Sequence, residues 1–592
     1  MLHLMNARWR IKPHDPARIQ SLAHGAGISP LLAQLLLNRG IEDPVRARAF
    51  LEARMGSLFD PELIPGAADA AERIVRAIRD DRKIVIYGDY DVDGVCGTSI
   101  LWACLRLAGA SHIEYYIPHR VEEGYGVNAE ALRKLAVENK ASLVITVDCG
   151  ISAMAEADLA RELGIELIVT DHHTIGLTVP RADVIVHPRL PGGHAAGADL
   201  CGAAVAFKLA WQVCKSFGDG KRASPHLRDF LVDSLGLVAL ATIADMVPLS
   251  DENRVMVRHG LAGIVKGPSA GLKALMAVSG SLDKKKLTAG MIGFGLAPRI
   301  NAAGRLEQAM MAVELLTTDD HARAGEIARL LDGCNKRRQD VERQIFDEAK
   351  QMLEADGGLG DRRSIVLGHQ GWHAGVIGIV AGRLAEAFHR PTVIIALGET
   401  FSQGSARSIP GFDLYEALKD CSEGLIAYGG HAAAAGLKLS PDHLATFAQR
   451  FEERCRSALT AEQLERVLTI DAEVPLGVLT LAIVAEIEKL EPHGISNPRP
   501  VLVATGLEIV GDPRPVGERK NHLQLRFRQG EQICKAIAWN LAEKGRELRA
   551  GSRCSIVFSP SVNEWNGRRE VQLEVKDFVL DEPAADDSGE RI

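Results

Sequence analysis

The chain has 592 residues, 46% of them apolar and 25% charged, the balance of an ordinary globular protein, which excludes a fibre, a largely disordered chain and a disulfide miniprotein. Lysine and arginine number 69 against 77 aspartate and glutamate, for a net charge of −8, so this is not a basic nucleic-acid-coating protein, although local fields decide binding more than the sum does. Ten scattered cysteines form no CxxC pair; zinc-ribbon and thiol-redox chemistry is unsupported, and a reduced, cytoplasmic chain is expected.

In chain order, residues 1–75 predict a helical extension. The opening MLHLMNARWRIK has no apolar core of a secretion signal. The run Leu31–Leu37 is apolar except for Gln34, prolines punctuate the region, and these small helices are expected to pack on the domain that follows. Residues 76–320 change pattern. The β-rich runs Lys83–Tyr87, Ile113–Ile117, Leu143–Val147, Glu166–Thr170 and Asp183–Val186 alternate with helices near 95–108, 128–139 and 153–163. That alternation predicts a mostly parallel sheet covered on both faces, with its ligand at the carboxyl ends of the strands. Residues 199–280 read as helical; the most apolar segment, Leu235–Met246, is far short of the roughly 20 residues a membrane span needs and is expected to be buried.

Residues 321–358 are rich in Arg, Glu, Ala and Leu without proline and predict one or two long connecting helices, a coiled coil being the less favoured reading because the apolar heptad is poor. A second α/β segment covers 359–465, with runs at Ser364–Leu367 and Val393–Leu397 and a helix at 375–388. From 466 to 580 short runs (Val501–Val503, Leu507–Val510, His522–Phe527, Ile533–Trp539, Cys554–Ser559, Arg569–Val575) predict a small barrel or sandwich. Residues 581–592 hold five acidic residues and one arginine, a tail expected to be disordered.

The chemistry concentrates at the strand ends. Gly88-Asp89-Tyr90-Asp91-Val92-Asp93-Gly94 follows one predicted strand and precedes a helix; an EF-hand fails because its twelfth position is Ile100 rather than glutamate. Asp148 follows the next strand, Asp171-His172-His173 the next, and Asp245 ends an apolar run. A lone aspartate there is usually a helix cap. Carboxylates and imidazoles converging from successive strand ends instead suit Mg²⁺ or Mn²⁺, which neutralise them. Further on, Gly429-Gly430-His431 before Ala432–Ala435 reads as a turn into a helix whose start favours phosphate. Arg407 between Ser405 and Ser408, and His373 after Trp372, are anion donors. Arg299, Asn301 and Arg305 are either helix caps or strand contacts. Arg120 and Tyr125 are further candidates near the metals. Between 501 and 577 there are 13 basic and 10 acidic residues; Arg526 and Arg528 share one strand face, and Trp565 falls in a predicted hairpin turn, where it stacks on a base or simply packs.

DYDVDG, VDCG and DHH in this order resemble the DHH phosphoesterase superfamily. GLAPRINAAGRL (295–306), WHAGVIGIV (372–380), SARS (405–408), GGHAAAAG (429–436), Asn497-Pro498 and NEWNGR (563–568) extend the likeness, over about residues 80–580, to its bacterial single-strand-specific DNA exonucleases. The resemblance implies two α/β domains, DHH and DHHA1, around a cleft, joined by a long helix, and a C-terminal OB-fold barrel. It implies two divalent cations, Mn²⁺ or Mg²⁺, on Asp91, Asp93, Asp148, His172 and Asp245, with Asp89 and Asp171 either joining or supporting them and His173 touching the phosphate. It implies that His373, Ser405, Arg407, Ser408, Gly429, Gly430 and His431 hold the 5′ end, that Arg120, Arg299, Asn301 and Arg305 lie along the strand, and that Arg526, Arg528 and Trp565 bind it further out. The activity implied is 5′→3′ hydrolysis of single-stranded DNA to 5′-mononucleotides in repair and recombination, with a single-strand-binding protein and a helicase as partners and a monomer as the default. Rivals are a superfamily enzyme for short RNA or nucleotides, a non-catalytic binding protein, which would lack ligands that are present here, and a structural scaffold, which leaves the acidic strand ends unexplained.

Overall fold

The structure, a computed structural model, describes residues 7–119, 123–124, 126–194, 197–305, 309–565 and 567–581. One compact unit gathers the N-terminal strand and Asn335–Ile470; the other gathers Pro13–Cys334 and the segment from Asp471 on. The first element, β1 (Arg8–Ile11), is a strand that the sequence did not predict. Three short helices follow, α1 (Pro16–Ala26), α2 (Pro30–Leu37) and α3 (Pro44–Glu52), each with proline in its first turn and capped by the side chain of Asp15, Ser29 or Asp43. Their packing corrects an expectation. Ile19, Leu22, Leu32 and Leu35 share one buried cluster with Leu502, Phe527 and Phe558 of the C-terminal barrel, not with the domain that follows, because a short barrel leaves apolar surface that needs a cover. The later part of the extension does pack on the next domain: Ile64 and α4 (Ala67–Arg79) join its core, Met55 and Leu58 lie against it, Lys208 bonds to the Phe59 carbonyl, and Lys215 bonds to Asp60 and Glu62.

That core is built on β2 (Ile84–Gly88), α5 (Val92–Leu107), β3 (Ile113–Tyr116), α6 (Ala129–Val137), β4 (Leu143–Val147), α7 (Met154–Glu162), β5 (Glu166–Thr170) and β6 (Val184–Val186). The strands form an all-parallel sheet of order β3-β2-β4-β5-β6. Its central strands are buried along their whole length, as both faces are covered by helices. Helix α8 (Gly202–Ser216) packs against it, and α9 (Pro225–Ala244), α10 (Asp251–Lys266) and α11 (Ala270–Val278) extend the same buried core outward. A short helix α12 (Ala289–Met291) runs through a π-helix, Ile292–Leu296, into α13 (Ala297–Arg305); α14 (Ala309–Thr317) follows. The apolar run at Leu235 is the buried part of α9. Among the described residues no single helix is long and apolar enough to cross a membrane.

The connecting segment is one 35-residue helix, α15 (His321–Ala355). The second α/β domain comprises β7 (Ile365–Gln370), α16 (Ala374–Phe388), β8 (Thr392–Leu397), β9 (Ser402–Arg407), α17 (Leu414–Asp420), β10 (Leu425–Gly430), β11 (Ala434–Leu439) and α18 (Leu444–Ala458), in a sheet of order β10-β11-β9-β8-β7. Here the expected helix at Ala432–Ala435 is overturned: β10 and β11 are an antiparallel hairpin with Gly429 opposite Gly436. Alanine's helix preference is weak beside a full ladder of pairing between β11 and β9. Then β12 (Val467–Ile470) pairs in parallel with β1.

The last elements are β13 (Ala472–Glu473), α19 (Leu481–Ile487), β14 (Leu502–Ile509), β15 (Arg514–Val516), β16 (His522–Gln529), β17 (Gln532–Ala538), β18 (Arg553–Trp565) and β19 (Arg568–Leu580). Pairings β14–β18–β19–β17–β16 return to β14 and close a five-stranded ring, the OB architecture. The runs Val501–Val503 and Leu507–Val510 are one strand whose register shifts between Ala504 and Leu507; the Thr505-Gly506 pair that reads as a turn accompanies a bulge.

Candidate metal centre

Each acidic arm is set by its own strand end. Gly88 closes β2 where a Cβ would meet the Thr98 Oγ1 at 2.0 Å. Asp91 caps α5, its Oδ1 accepting the N–H groups of Asp93 at 2.8 Å and Gly94 at 3.2 Å. Gly94 is required there, because a Cβ would stand 2.5 Å from the Asp89 carbonyl oxygen. Asp93, 1% exposed, reaches across to α8, whose own cap residue Cys201 gives no side-chain bond. Its two oxygens accept from Gly202 N at 2.6 Å and Ala203 N at 2.7 Å, so one carboxylate satisfies the orphan donors of another helix and meets its positive end.

Asp148 follows β4 in the left-handed region, φ 63°, and its N–H donates to Thr170 O at 3.0 Å. A Cβ on Gly202 would lie 2.6 Å from the Asp148 Cβ and Oδ1; a glycine at the start of α8 is what lets this carboxylate in. After β5, Asp171 accepts from Ile151 N, His172 N and His173 N and holds the His173 Nδ1 at 2.7 Å. It orients the histidines instead of facing the cluster. His187, after β6, accepts Arg189 N on Nδ1, so its Nε2–H donates to the His173 carbonyl at 2.9 Å. Sequence reasoning missed His187, although its place at a fourth strand end was a usable signal. Asp245 ends α9.

These residues converge. His172 Nε2 is 3.1 Å from Asp148 Oδ1, 3.7 Å from Asp93 Oδ2 and 3.8 Å from Asp245 Oδ2. Three sets, Asp148–His172–His173, Asp93–His172–Asp245 and Asp89–Asp91–Asp148, each keep their donor atoms within 4.8 Å; His172 links the first to the second and Asp148 links the first to the third. Burial first, then the neighbouring carboxylates, raise the Asp91, Asp148 and Asp245 carboxyls, Asp245 to about 8. Burial lowers His172. Burial also works against ionisation of Asp171 and His173, but their mutual bond outweighs it, holding Asp171 at about 2 and His173 above the usual imidazole value. His172 Nε2 is buried with no hydrogen-bond partner. An orphaned imidazole nitrogen among mutually repelling carboxylates fits a divalent cation: the donors are oxygen and nitrogen, and only positive charge removes the repulsion.

Other expected residues divide. Asn301 Oδ1 accepts Val92 N at 3.0 Å and so holds the metal loop from α13. Arg299 instead pairs with Asp332 at 2.9 Å and donates to the Gly295 carbonyl. Arg120 lies outside the described residues, as do Tyr125 and the side chains of Arg305 and Trp565.

In the second domain, pairing aligns Ser405 with Gly436 and Gly436 with Gly429 across three strands, and Arg407 with Ala434. Arg407 donates to Ser405 Oγ at 3.3 Å and to Ala406 O at 2.8 Å; burial lowers its pKa, and no carboxylate pairs with it among the described residues. Gly378 of α16 makes its room, since a Cβ would stand 2.8 Å from Ser405 Oγ. His373 caps α16 through Gly375 N. Ser408 is spent on the Phe412 carbonyl at 2.6 Å. Gly429, Gly430 and His431 are exposed. On the barrel, Arg526 and Arg528 alternate with buried Leu525 and Phe527 on one exposed face of β16, Arg528 pairing with Glu508 at 2.5 Å.

Three known sequence families match the chain: the DHH family N-terminal domain over residues 83–242, the DHHA1 domain over 361–457 and the RecJ OB domain over 470–577. The chain is 39% identical to the single-stranded-DNA-specific exonuclease RecJ of Bacillus subtilis, over 97% of this chain and 71% of that one. It is similar to the crystal structure of Thermus thermophilus RecJ in complex with Mn²⁺, at a TM-score of 0.81 and 31% identity over 98% of this chain and 80% of that one, and to the Mg²⁺ complex at 0.75 and 28%, over 98% of this chain and 79% of that one.

Proposed function

The chain belongs to the RecJ family of single-stranded-DNA-specific exonucleases, and on that footing we propose that it hydrolyses single-stranded DNA from the 5′ end, releasing 5′-mononucleotides in DNA repair and recombination. The single observation that carries the reading is the shared cluster of Asp91, Asp93, Asp148, His172 and Asp245, whose geometry asks for divalent cations. Two cations, Mn²⁺ or Mg²⁺, suit three donor sets in which Asp148–His172–His173 overlaps Asp93–His172–Asp245 through His172 and Asp89–Asp91–Asp148 through Asp148. When bound, they activate the attacking water and offset charge on the phosphoryl oxygens.

The chain's own residues do the rest. Asp93 is held rigid by the α8 N-terminus, so its oxygens stay aimed without reorganisation. Asp171 positions His173, kept protonated on Nδ1 by that bond, so its other ring nitrogen is left to meet a phosphate oxygen. Asn301 fixes the loop that carries Asp89 and Asp91. Arg407, with Ser405 and the open backbone at Gly429 and Gly430, takes the terminal 5′-phosphate; an arginine sunk in the fold without a carboxylate counter-charge is suited to a bidentate anion. Arg526 and Arg528 steady the strand further along. A single-strand-binding protein and a helicase complete the reading as partners by family likeness, with a monomer in the cytoplasm as the default. The buried cysteines, none in a disulfide, agree with a reducing compartment.

The test is product analysis on two DNA single strands, one labelled at each end, with Mn²⁺ and with excess chelator, beside a duplex and an RNA control. Mononucleotides leaving the 5′ end of single-stranded DNA only with metal support the reading. Release from the 3′ end, or cleavage of short RNA alone, overturns it.

A further inference from the structure

A cavity of about 690 Å³ lies away from the metal cluster, at the seam where α10 and the segment leading into α12 meet the linker to the barrel. Its lining is strongly basic: Arg258, Lys266, Lys285, Lys286, Lys489 and Arg499 face it against only Glu488 and Glu491. Both carboxylates are already engaged, Glu491 with Lys286 and Glu488 with the Val562 N–H, and Arg499 pairs with Glu574. Lys266, Lys285 and Lys489 are exposed and meet no carboxylate among the described residues. One wall is apolar, formed by Leu261, Val265, Leu287 and Pro492.

The cavity is preformed. Arg254, 1% exposed, spends its guanidinium on the carbonyls of Phe50, Lys489, Leu490, Glu491 and Pro492. Asn497 donates to Leu490 O and Pro492 O and is itself held by Arg39. The linker wall is thus fixed by buried cations that add to the field. Burial first, then Arg39, Arg499, Arg254 and Lys286, hold His493 in its neutral form with a pKa of about 3, and its Nδ1 has no hydrogen-bond partner.

We propose that this cavity is a second, non-catalytic site that binds a free nucleoside polyphosphate. The apolar wall takes the base, and the lysines and Arg258 take the phosphates. The volume suits one nucleotide, since small-molecule pockets run from roughly 300 to 1,000 Å³. Charge selects among nucleotides. A strand threaded through this volume brings one negative charge per phosphate, whereas a nucleoside triphosphate brings about four to a single locus, which matches the excess of cations over carboxylates. The wall formed by Lys285–Gly290 continues through the π-helix into α13, where Asn301 holds Val92 N and Gly304 abuts the Tyr90 carbonyl. The occupied cavity is therefore one continuous element away from the metal loop.

Binding is measured by calorimetry on the full chain at 0.15 M salt in excess chelator, which keeps nucleotides from being recruited by metal. The probes are ATP, AMP, inorganic triphosphate and a 5′-hydroxyl oligo(dT). The variant is Lys285→Glu/Lys489→Glu, two exposed side chains outside the catalytic machinery; its melting temperature must match that of the parent, failing which Lys285→Gln/Lys489→Gln replaces it. ATP binding one-to-one, at least tenfold tighter than AMP and weakened at least tenfold by the variant, is expected. Absence of ATP binding, equal binding to parent and variant, or inorganic triphosphate matching ATP overturns the proposal. If oligo(dT) affinity alone falls in the variant, the cavity belongs to the strand and the free-nucleotide assignment fails.

Discussion

Asp148 carries two opposed demands. It sits in left-handed backbone, nearly unexposed, against other carboxylates; that arrangement destabilises the metal-free fold and is relieved by the cation. Asn tolerates the same backbone region. Asp148→Asn is therefore expected to lower cleavage at least 100-fold and, in chelator, to raise the melting temperature by a few degrees. Mn²⁺ should stabilise the parent and leave the variant unmoved, because only the parent binds it. A melting curve with and without metal checks both signs. Arg407 makes a different prediction. Arg407→Ala removes the half-buried cation beside Ser405, so affinity for 5′-phosphorylated strands should fall about tenfold or more while 5′-hydroxyl strands change little. Equal losses on the two strands would remove it from end recognition.

The elements that place these residues depend on close approaches that glycine allows. Gly202 opens α8 against Asp148 while its N–H binds Asp93. Gly202→Ala inserts a methyl group where Asp148 stands, and overpacking of this kind costs about 1–3 kcal/mol. The expected result is a modest loss of stability but a loss of activity and of Mn²⁺ affinity of 100-fold or more. Metal titration followed by thermal unfolding checks it; intact metal affinity would show that α8 yields without moving Asp148. The second domain teaches the complementary lesson. Four alanines after Gly429-Gly430-His431 read as a helix start, yet Ala432 and Ala433 lie in a bend and the ladder to β9 makes Ala434 and Ala435 a strand. That pairing is long-range and invisible to local propensity.

For the whole molecule, the N-terminal helices and the barrel share one core, and Arg254 of α10 binds the carbonyls of the linker to the barrel. Cutting the chain at residue 470 would expose that core, so the barrel's part in strand binding is better tested at its surface. Arg526→Glu/Arg528→Glu should weaken binding of long single strands about tenfold at 0.15 M salt and reduce the salt dependence of binding. It should leave hydrolysis of very short oligonucleotides near the parent rate, because those need only the metal cluster. Unchanged long-strand affinity would exclude this face of β16.

By itself the sequence determined the order of strands and helices in the catalytic domain and most of the acidic and histidine residues at their ends. All of these are written locally, in the period of apolar residues and in carboxylates clustered too densely for a simple turn. The tertiary structure alone decided that Asp93 serves the α8 N-terminus, that Asn301 supports the metal loop while Arg299 is tied to Asp332, and that His187 braces His173. It also brought Ser405, Gly429 and Gly436 into one row and set the N-terminal helices on a barrel more than 400 residues away. A hydrogen bond between residues far apart in the chain is settled by which surfaces pack together, and that choice belongs to the whole fold rather than to any segment of it.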